Sequence, residues 1–394
     1  MPCRGVDSAA SGSPLRENAW VRRGRMQNRV QRIFERLSPR PDALILASGE
    51  GPHIDTSFFY LFEVSGGSFE GSAIVARPEG SRTVLTSALE GETARQAADH
   101  DPTLEVRVCS SLEDYVHALR NLVGEKSHVA LNYRELTHEG FREIKSALPD
   151  ARWVDASEAI QRTRRIKDAA EIDRIERAGA IVSTVAGQIP SLLRPGITEL
   201  ELAGEIEYRM AQAGAAGRSF ETIVGFGPHS AEPHFSPGPA PLQAGQSIVC
   251  DFGALYQRYI SDLTRPFYFG TPDAEMRRVH AKVAEAQQAA LGILRPGVRA
   301  CDLHMAAQAV IDQSPWKGLF THRLGHSIGL AVHDGFSLNL ETTDALQVGE
   351  TVTIEPGIYL PGKGGVRIED DVVVTENGYR FLTTAPRDYL GAGA

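Results

Sequence analysis

Cysteine is scarce and scattered in this chain. Cys3, Cys109, Cys250 and Cys301 form no Cys-x-x-Cys pair, which argues against a disulfide framework or a zinc ribbon and fits a reducing cytoplasm. Excess positive charge is also lacking. A net charge of −9 argues against nucleic acid or an anionic membrane as the principal partner. No apolar run approaches the roughly 18 residues of a membrane span, and no signal-peptide core precedes a small-residue cleavage site, so neither a span nor export is read. What is present, 42% hydrophobic and 23% charged residues, is the composition of an ordinary soluble globular protein. At 394 residues the chain is long for one core, and two domains are expected.

The first 25 residues, rich in Gly, Ser, Ala and Arg, read as a flexible tail, with Met26 a candidate start and 29–37 an amphipathic helix. From 41 to 155, strand patterns at 43–47, 71–76, 82–86, 104–108 and 128–131 alternate with helical stretches such as 111–123. That pattern predicts an α/β domain over 26–160. A charged helical segment at 161–177 then opens a second domain, 161–394, in which Ile172, Ile175, Ile181, Val182 and Val185 lay down an apolar face. Within it Leu193-Arg194-Pro195-Gly196-Ile197 recurs 101 residues later as Leu294-Arg295-Pro296-Gly297-Val298. Thr198 to Glu201 has capping-box form for the helix that follows the first copy. The recurrence predicts a duplicated helix-helix-hairpin unit with a site where the halves meet.

Five residues carry the chemistry: Asp251, Asp262, His326, Glu355 and Glu369. All four acids fall inside apolar, β-prone stretches. The midpoint between Asp251 and Asp262 lies between Tyr256 and Gln257, so a hairpin turning there would face the two acids across it. Like charges so opposed are destabilising without a cation or a strongly raised pKa. Glu355 and Glu369 repeat the design about Gly362, in the turn-forming run Pro361-Gly362-Lys363-Gly364-Gly365. Four carboxylates balance two divalent cations. One imidazole beside oxygen donors favours Mn²⁺, Co²⁺, Zn²⁺ or Fe²⁺ over Ca²⁺. Two such ions about 3.5–4 Å apart can activate a water and polarise a carbonyl, so hydrolysis is expected. His234 and His333 are expected in the same cleft, suited to proton transfer or to hydrogen bonding a tetrahedral intermediate.

At these residues the chain resembles the pita-bread metallopeptidases: methionine aminopeptidases, Xaa-Pro aminopeptidases and Xaa-Pro dipeptidases. The resemblance runs through Val249-Cys250-Asp251-Phe252-Gly253, Ser261-Asp262-Leu263-Thr264-Arg265, Gly325-His326-Ser327-Ile328-Gly329, Ile354-Glu355-Pro356-Gly357 and Val366-Arg367-Ile368-Glu369, over roughly 160–385. It implies a creatinase-type α/β N-terminal domain followed by an α+β pita-bread catalytic domain with an internal pseudo-two-fold repeat. Methionine aminopeptidases lack the N-terminal domain, which favours the proline-specific branch. By resemblance, Asp251 would chelate one metal, Asp262 and Glu369 would bridge both, and His326 and Glu355 would hold the other, with Glu355 also the general base. His234 would aid the leaving group, His333 the scissile carbonyl, and Tyr359 and Arg367 would support substrate and ligands. An alternative for Arg367 is a structural pair with Asp370 or Asp371. Three departures from the family pattern, Arg258 in the hairpin turn, Ser327 after the metal histidine and His229 where asparagine is common, touch no expected ligand.

The expected function is therefore that of an Xaa-Pro dipeptidase using two divalent ions, Mn²⁺ foremost with Co²⁺ or Zn²⁺ as alternatives. Its substrates would be proline-containing dipeptides or short peptides, and its setting a cytoplasmic homodimer, the dimer by family analogy. An Xaa-Pro aminopeptidase acting on longer peptides is the rival enzyme. A metal-free peptide-binding module and a creatinase-like amidinohydrolase are the rivals of other classes.

Overall fold

Apolar strand runs assemble the first part of the chain. In this computed structural model, which describes residues 28–99, 101–387 and 390–392, they form one six-stranded sheet. Its strands are β1 (Ala43–Ala47), β2 (Ala73–Ala76), β3 (Arg82–Ser87), β4 (Leu104–Cys109), β5 (His128–Leu131) and β6 (Arg152–Asp155), in the order β4-β3-β2-β1-β5-β6. β2 pairs antiparallel with β1 and β3, while β3–β4, β1–β5 and β5–β6 are parallel. The sequence reading did not mark β6, because its ends are exposed and its centre only half-buried. The helix Leu112–Val123 starts where the Ser111 hydroxyl accepts the Asp114 N–H and stops at Gly124, φ 88°. It packs Ala118, Leu119 and Val123 against Val75, Leu85, Val129 and Leu131. The tail expected at 1–25 and the candidate start Met26 lie outside the described residues. Residues 28–34 are helical, and Val30, Ile33, Phe34 and Leu37 are buried.

The chain divides into two compact units, Met1–Ala159 and Ile160–Ala394. The continuous helix read at 161–177 is in fact broken. One helix ends at Arg165 and the next, Ala169–Gln188, begins at an Asp168 cap whose carboxylate accepts the Ala170 and Glu171 N–H groups while Glu171 returns a bond to the Asp168 N–H. That reciprocal cap fixes a new helix start within the charged run.

Two matching halves follow, each with a 20-residue helix, a shorter helix and a hairpin: Ala169–Gln188 and Glu199–Gln212, then Ala274–Ile293 and Ala300–Asp312. The repeat extends to individual hydrogen bonds. Gly196 N–H donates to Leu242 O and Gly297 N–H to Leu346 O; Leu242 N–H donates to Ile197 O and Leu346 N–H to Val298 O. Gly196 and Gly297 both have left-handed backbone, φ 80° and 87°. In the strand entries Gln243 N–H meets the Gln246 side chain and Gln347 N–H the Glu350 side chain. A second sequence identity, Leu242-Gln243-Ala244-Gly245 with Leu346-Gln347-Val348-Gly349, underlies this match. Each half has its own apolar cluster, one around Val182, Leu202, Ile248 and Phe267, the other around Val283, Leu303, Val352 and Val372.

The strands of the second unit are β7 (Gly217–Arg218), β8 (Ile223–Phe226), β9 (Ser247–Phe252), β10 (Ala254–Tyr256), β11 (Tyr259–Ile260), β12 (Leu263–Phe269), β13 (Gly325–His326), β14 (Ser337–Leu338), β15 (Thr351–Ile354), β16 (Gly357–Leu360), β17 (Gly364–Arg367), β18 (Asp370–Thr375), β19 (Gly378–Phe381) and β20 (Leu390–Ala392). In the second hairpin Gly357 faces Arg367 and Ile354 faces Asp370, one continuous register that sets Glu355 opposite Glu369, with Gly362 at the turn, φ 76°. The first hairpin corrects the sequence expectation. Tyr256 faces Tyr259 and Asp251 faces Thr264, not Asp262. The turn is the two residues Gln257-Arg258, both at positive φ, 46° and 73°, the backbone of a two-residue hairpin turn. Asp262 precedes Thr264 by two residues, so strand alternation keeps it on the face of Asp251.

Candidate metal centre

Both hairpins deliver their acids to the floor of one cavity of about 530 Å³. Asp251, Asp262, His326, Glu355 and Glu369 all line it, as do His234, His333 and Arg367. Tyr359 lies behind them, 4% exposed. One imidazole nitrogen of His326 and one oxygen each of Asp262 and Glu369 lie within 4.8 Å of one another. His326 reaches this position because Gly325 packs on the neighbouring strand: a Cβ there would stand 2.1 Å from Thr353 O.

Asp251 and Glu369 each have one oxygen held and one left without a partner. Asp251 Oδ2 accepts from Arg367 Nη2 at 2.5 Å, and Glu369 Oε2 accepts from Thr264 Oγ1 at 2.6 Å. Asp251 Oδ1, Asp262 Oδ1 and Glu369 Oε1 are buried without a hydrogen-bond partner. Orphaned buried carboxylate oxygens are costly unless a proton or cation meets them. His326 sharpens the point. Burial, with His333 and Arg323 nearby, lowers its pKa to about 3, so the ring is neutral. Nδ1–H turns to Ser327 O at 3.4 Å. Nε2 therefore aims a lone pair at Asp262 Oδ2, 3.7 Å away, and Glu355 Oε1, 3.4 Å away. These contacts are not ion pairs; the imidazole lone pair and the carboxylate oxygens are ligand atoms converging on one point. Burial, then mutual repulsion, pushes the Asp262 and Glu369 carboxyls well up, and burial with Asp251 nearby raises Glu355 to about 8 against the pull of Arg367. A hard or borderline divalent cation fits this donor set.

Arg367 ties the ring of ligands together. Besides Asp251 it donates from Nε to Thr264 Oγ1 (2.9 Å), and from Nη1 to Tyr359 OH (2.8 Å) and Pro233 O (3.3 Å). The alternative pairing with Asp370 or Asp371 is not what forms. Arg265 and Arg387 take Asp370 at 2.7 and 2.6 Å, while Asp371 accepts the Asp262 N–H at 2.9 Å.

Sequence reasoning missed three residues here. Thr264 is signalled by its spacing, two residues after Asp262 on the same strand face. His322 accepts at Nε2 from Tyr359 OH (2.8 Å) and donates from Nδ1 to Arg323 O (2.8 Å), its pKa lowered to about 3, chiefly by burial. Arg323 donates Nη2–H to His333 Nε2 at 2.6 Å. Nothing local in the sequence marks Arg323. Of the departures, Arg258 adopts the left-handed turn backbone, Ser327 is fully buried with its hydroxyl unpartnered, and His229 meets Glu199 at 2.8 Å.

A duplicated helix-helix-hairpin frame that buries a carboxylate-imidazole cluster in a cleft is the architecture of a pita-bread metallohydrolase. Family comparison agrees. The family model for metallopeptidase family M24 matches residues 173–376, and the creatinase/prolidase N-terminal domain matches 27–166. The chain belongs to metallopeptidase family M24. It is 33% identical over 312 residues to an uncharacterised peptidase of Staphylococcus saprophyticus, covering 79% of this chain and 87% of that one. Among solved structures, an X-Pro aminopeptidase from Thermotoga maritima superposes with a TM-score of 0.83 at 33% identity, covering 92% of this chain and 99% of that one. A prolidase from Pyrococcus horikoshii does so with a TM-score of 0.82 at 31% identity, covering 92% and 100%. Family membership implies divalent metal ions. No described helix is long and apolar enough to cross a membrane.

Proposed function

We propose that this metallopeptidase is an Xaa-Pro dipeptidase with a dinuclear centre. The observation that carries the reading is the set of orphaned oxygens on Asp251, Asp262 and Glu369 around the lone pair of neutral His326. Asp251, Asp262, His326, Glu355 and Glu369 would hold two divalent ions, Mn²⁺ foremost with Co²⁺ or Zn²⁺ as alternatives. When bound, such ions polarise a carbonyl and lower the pKa of a water toward neutrality. The remaining work falls to the chain's own groups. Glu355 takes a proton from the attacking water. Arg323 occupies Nε2 of His333, which leaves Nδ1–H to donate to the substrate carbonyl. His234, exposed at the cavity mouth, donates to the leaving nitrogen. Arg367 and Tyr359 hold Asp251 and the cavity wall, so that the acids meet the substrate in one geometry. Proline-containing dipeptides are the substrates, and a cytoplasmic homodimer is the proposed working form.

The resemblance to the Thermotoga X-Pro aminopeptidase supports a second reading, in which longer peptides are cut. Turnover of Ala-Pro and of Ala-Pro-Ala with added Mn²⁺ separates the two. Cleavage of the dipeptide supports the first, and cleavage of the tripeptide alone overturns it.

A further inference from the structure

Glu199 is a fully buried carboxylate outside the cavity, in the first turn of the helix Glu199–Gln212. The capping needs of that helix are met by others: Thr198 and Glu201 exchange the two capping-box bonds. Glu199 is thus free to turn outward, and it binds three groups. Oε1 accepts the Phe226 N–H at 2.9 Å and His229 Nδ1–H at 2.8 Å, and Oε2 accepts the Gly238 N–H at 3.1 Å. Phe226 and Gly238 are the two ends of the loop that carries Pro233 and His234 into the cavity. His229 lies within it and stacks on Phe235, ring centroids 4.4 Å apart. One carboxylate therefore clamps both feet of the loop and its middle. The matching place in the second half is Ala300, so the clamp belongs to the half that supplies His234.

We propose that Glu199, with His229, is a positioning residue for His234, an inference that rests on the peptidase reading above. Glu199 touches no cavity group. Its effect runs through the loop, because a displacement of about 1 Å in a reacting group can cost on the order of a hundredfold in rate. Glu199→Gln keeps the shape of the side chain but cannot accept from all three donors, since its amide offers one acceptor oxygen.

The test is a double-mutant cycle on Ala-Pro turnover with Mn²⁺, with metal content measured by mass spectrometry in every variant. Turnover by the unsubstituted protein is the control: its absence overturns the functional reading and leaves the cycle to be read on whichever peptide is cut. Glu199→Gln is expected to lower kcat about tenfold or more, with KM within about twofold and both metals retained. In a His234→Ala background it should cost less than about threefold, since the reacting side chain that the loop positions is then gone. Equal losses in the two backgrounds, or an unchanged kcat, would overturn the proposal. If Glu199→Gln does not fold, the half-exposed His229 supplies the second arm. His229→Leu should lower kcat only where His234 is present, while His229→Asn, which keeps a donor for Glu199, should restore it. Equal effects of His229→Leu in both backgrounds would likewise overturn it.

Discussion

Arg367 stands in the second hairpin where Asp262 stands in the first. Asp262 lies two residues before Thr264, which faces Asp251, and Arg367 lies two residues before Glu369, which faces Glu355. The two carboxylate pairs read from the sequence are therefore not equivalent: Asp251 corresponds to Glu355, Thr264 to Glu369, and Asp262 to a cation. The duplicated frame thus gives three acids at matched places plus Asp262, and a guanidinium that holds Asp251 and Thr264 in turn.

Replacing that cation tests its role. Arg367→Met should leave Asp251 buried and unheld, with loss of kcat/KM by about a hundredfold or more and weaker metal retention on dialysis, because breaking a buried pair costs about 3–5 kcal/mol. Arg367→Lys should recover only part, since a single ammonium cannot reach Asp251, Thr264 and Tyr359 together. Steady-state kinetics and metal content check both. Full activity in Arg367→Met would mean that the guanidinium only fills space.

Asp262→Asn and His234→Ala should separate along a different axis. The first removes a charge from the proposed ligand set and should lose metal together with rate. The second should keep two metals while losing about two to four orders of magnitude in kcat. Retained metal in Asp262→Asn would show that the bridging role is misassigned.

Chelation separates the classes. Treatment with EDTA followed by gel filtration should abolish peptide cleavage, and Mn²⁺, Co²⁺ or Zn²⁺ should restore it. Undiminished activity after verified metal removal would favour a creatinase-like, metal-independent hydrolysis. Persistent absence of metal affinity would favour the peptide-binding module.

The metal-free protein should lose stability as pH rises. Burial and neighbouring acids hold the Glu355 carboxyl up at about 8 when folded against 4.5 when free, and raise Asp262 and Glu369 in the same direction. The folded state then binds more protons than the unfolded chain between those values. Stability from this source is fully present below about pH 4.5 and is lost as pH rises through about 8. The unfolding temperature of chelated protein should fall by several degrees between pH 6 and 9, and Mn²⁺ should remove most of the fall. A flat profile without metal would contradict the buried, repelling cluster.

Much of the site was legible because strand alternation and turn chemistry are local. The register of Glu355 against Glu369 followed from Gly362 and its flanking glycines and proline, since such residues announce a turn. The first hairpin slipped because Gln257 and Arg258 take positive φ without a glycine or asparagine to signal it. The break at Asp168 was hidden in a run that is helical on either side. The clamp on the His234 loop was invisible, since Glu199 looks like any first-turn acid.

The sequence by itself determined the residue types of the site, the strand face each acid would share, and the duplication that builds the frame, for all of these depend on spacings of a few residues or on direct identity. Only the tertiary structure decided which charge answers which. Asp251 meets Arg367 across 116 residues and Thr264 meets Glu369 across 105. Such partners are chosen by how two separately cored halves pack, where the cost of an unpaired buried charge outweighs any local preference.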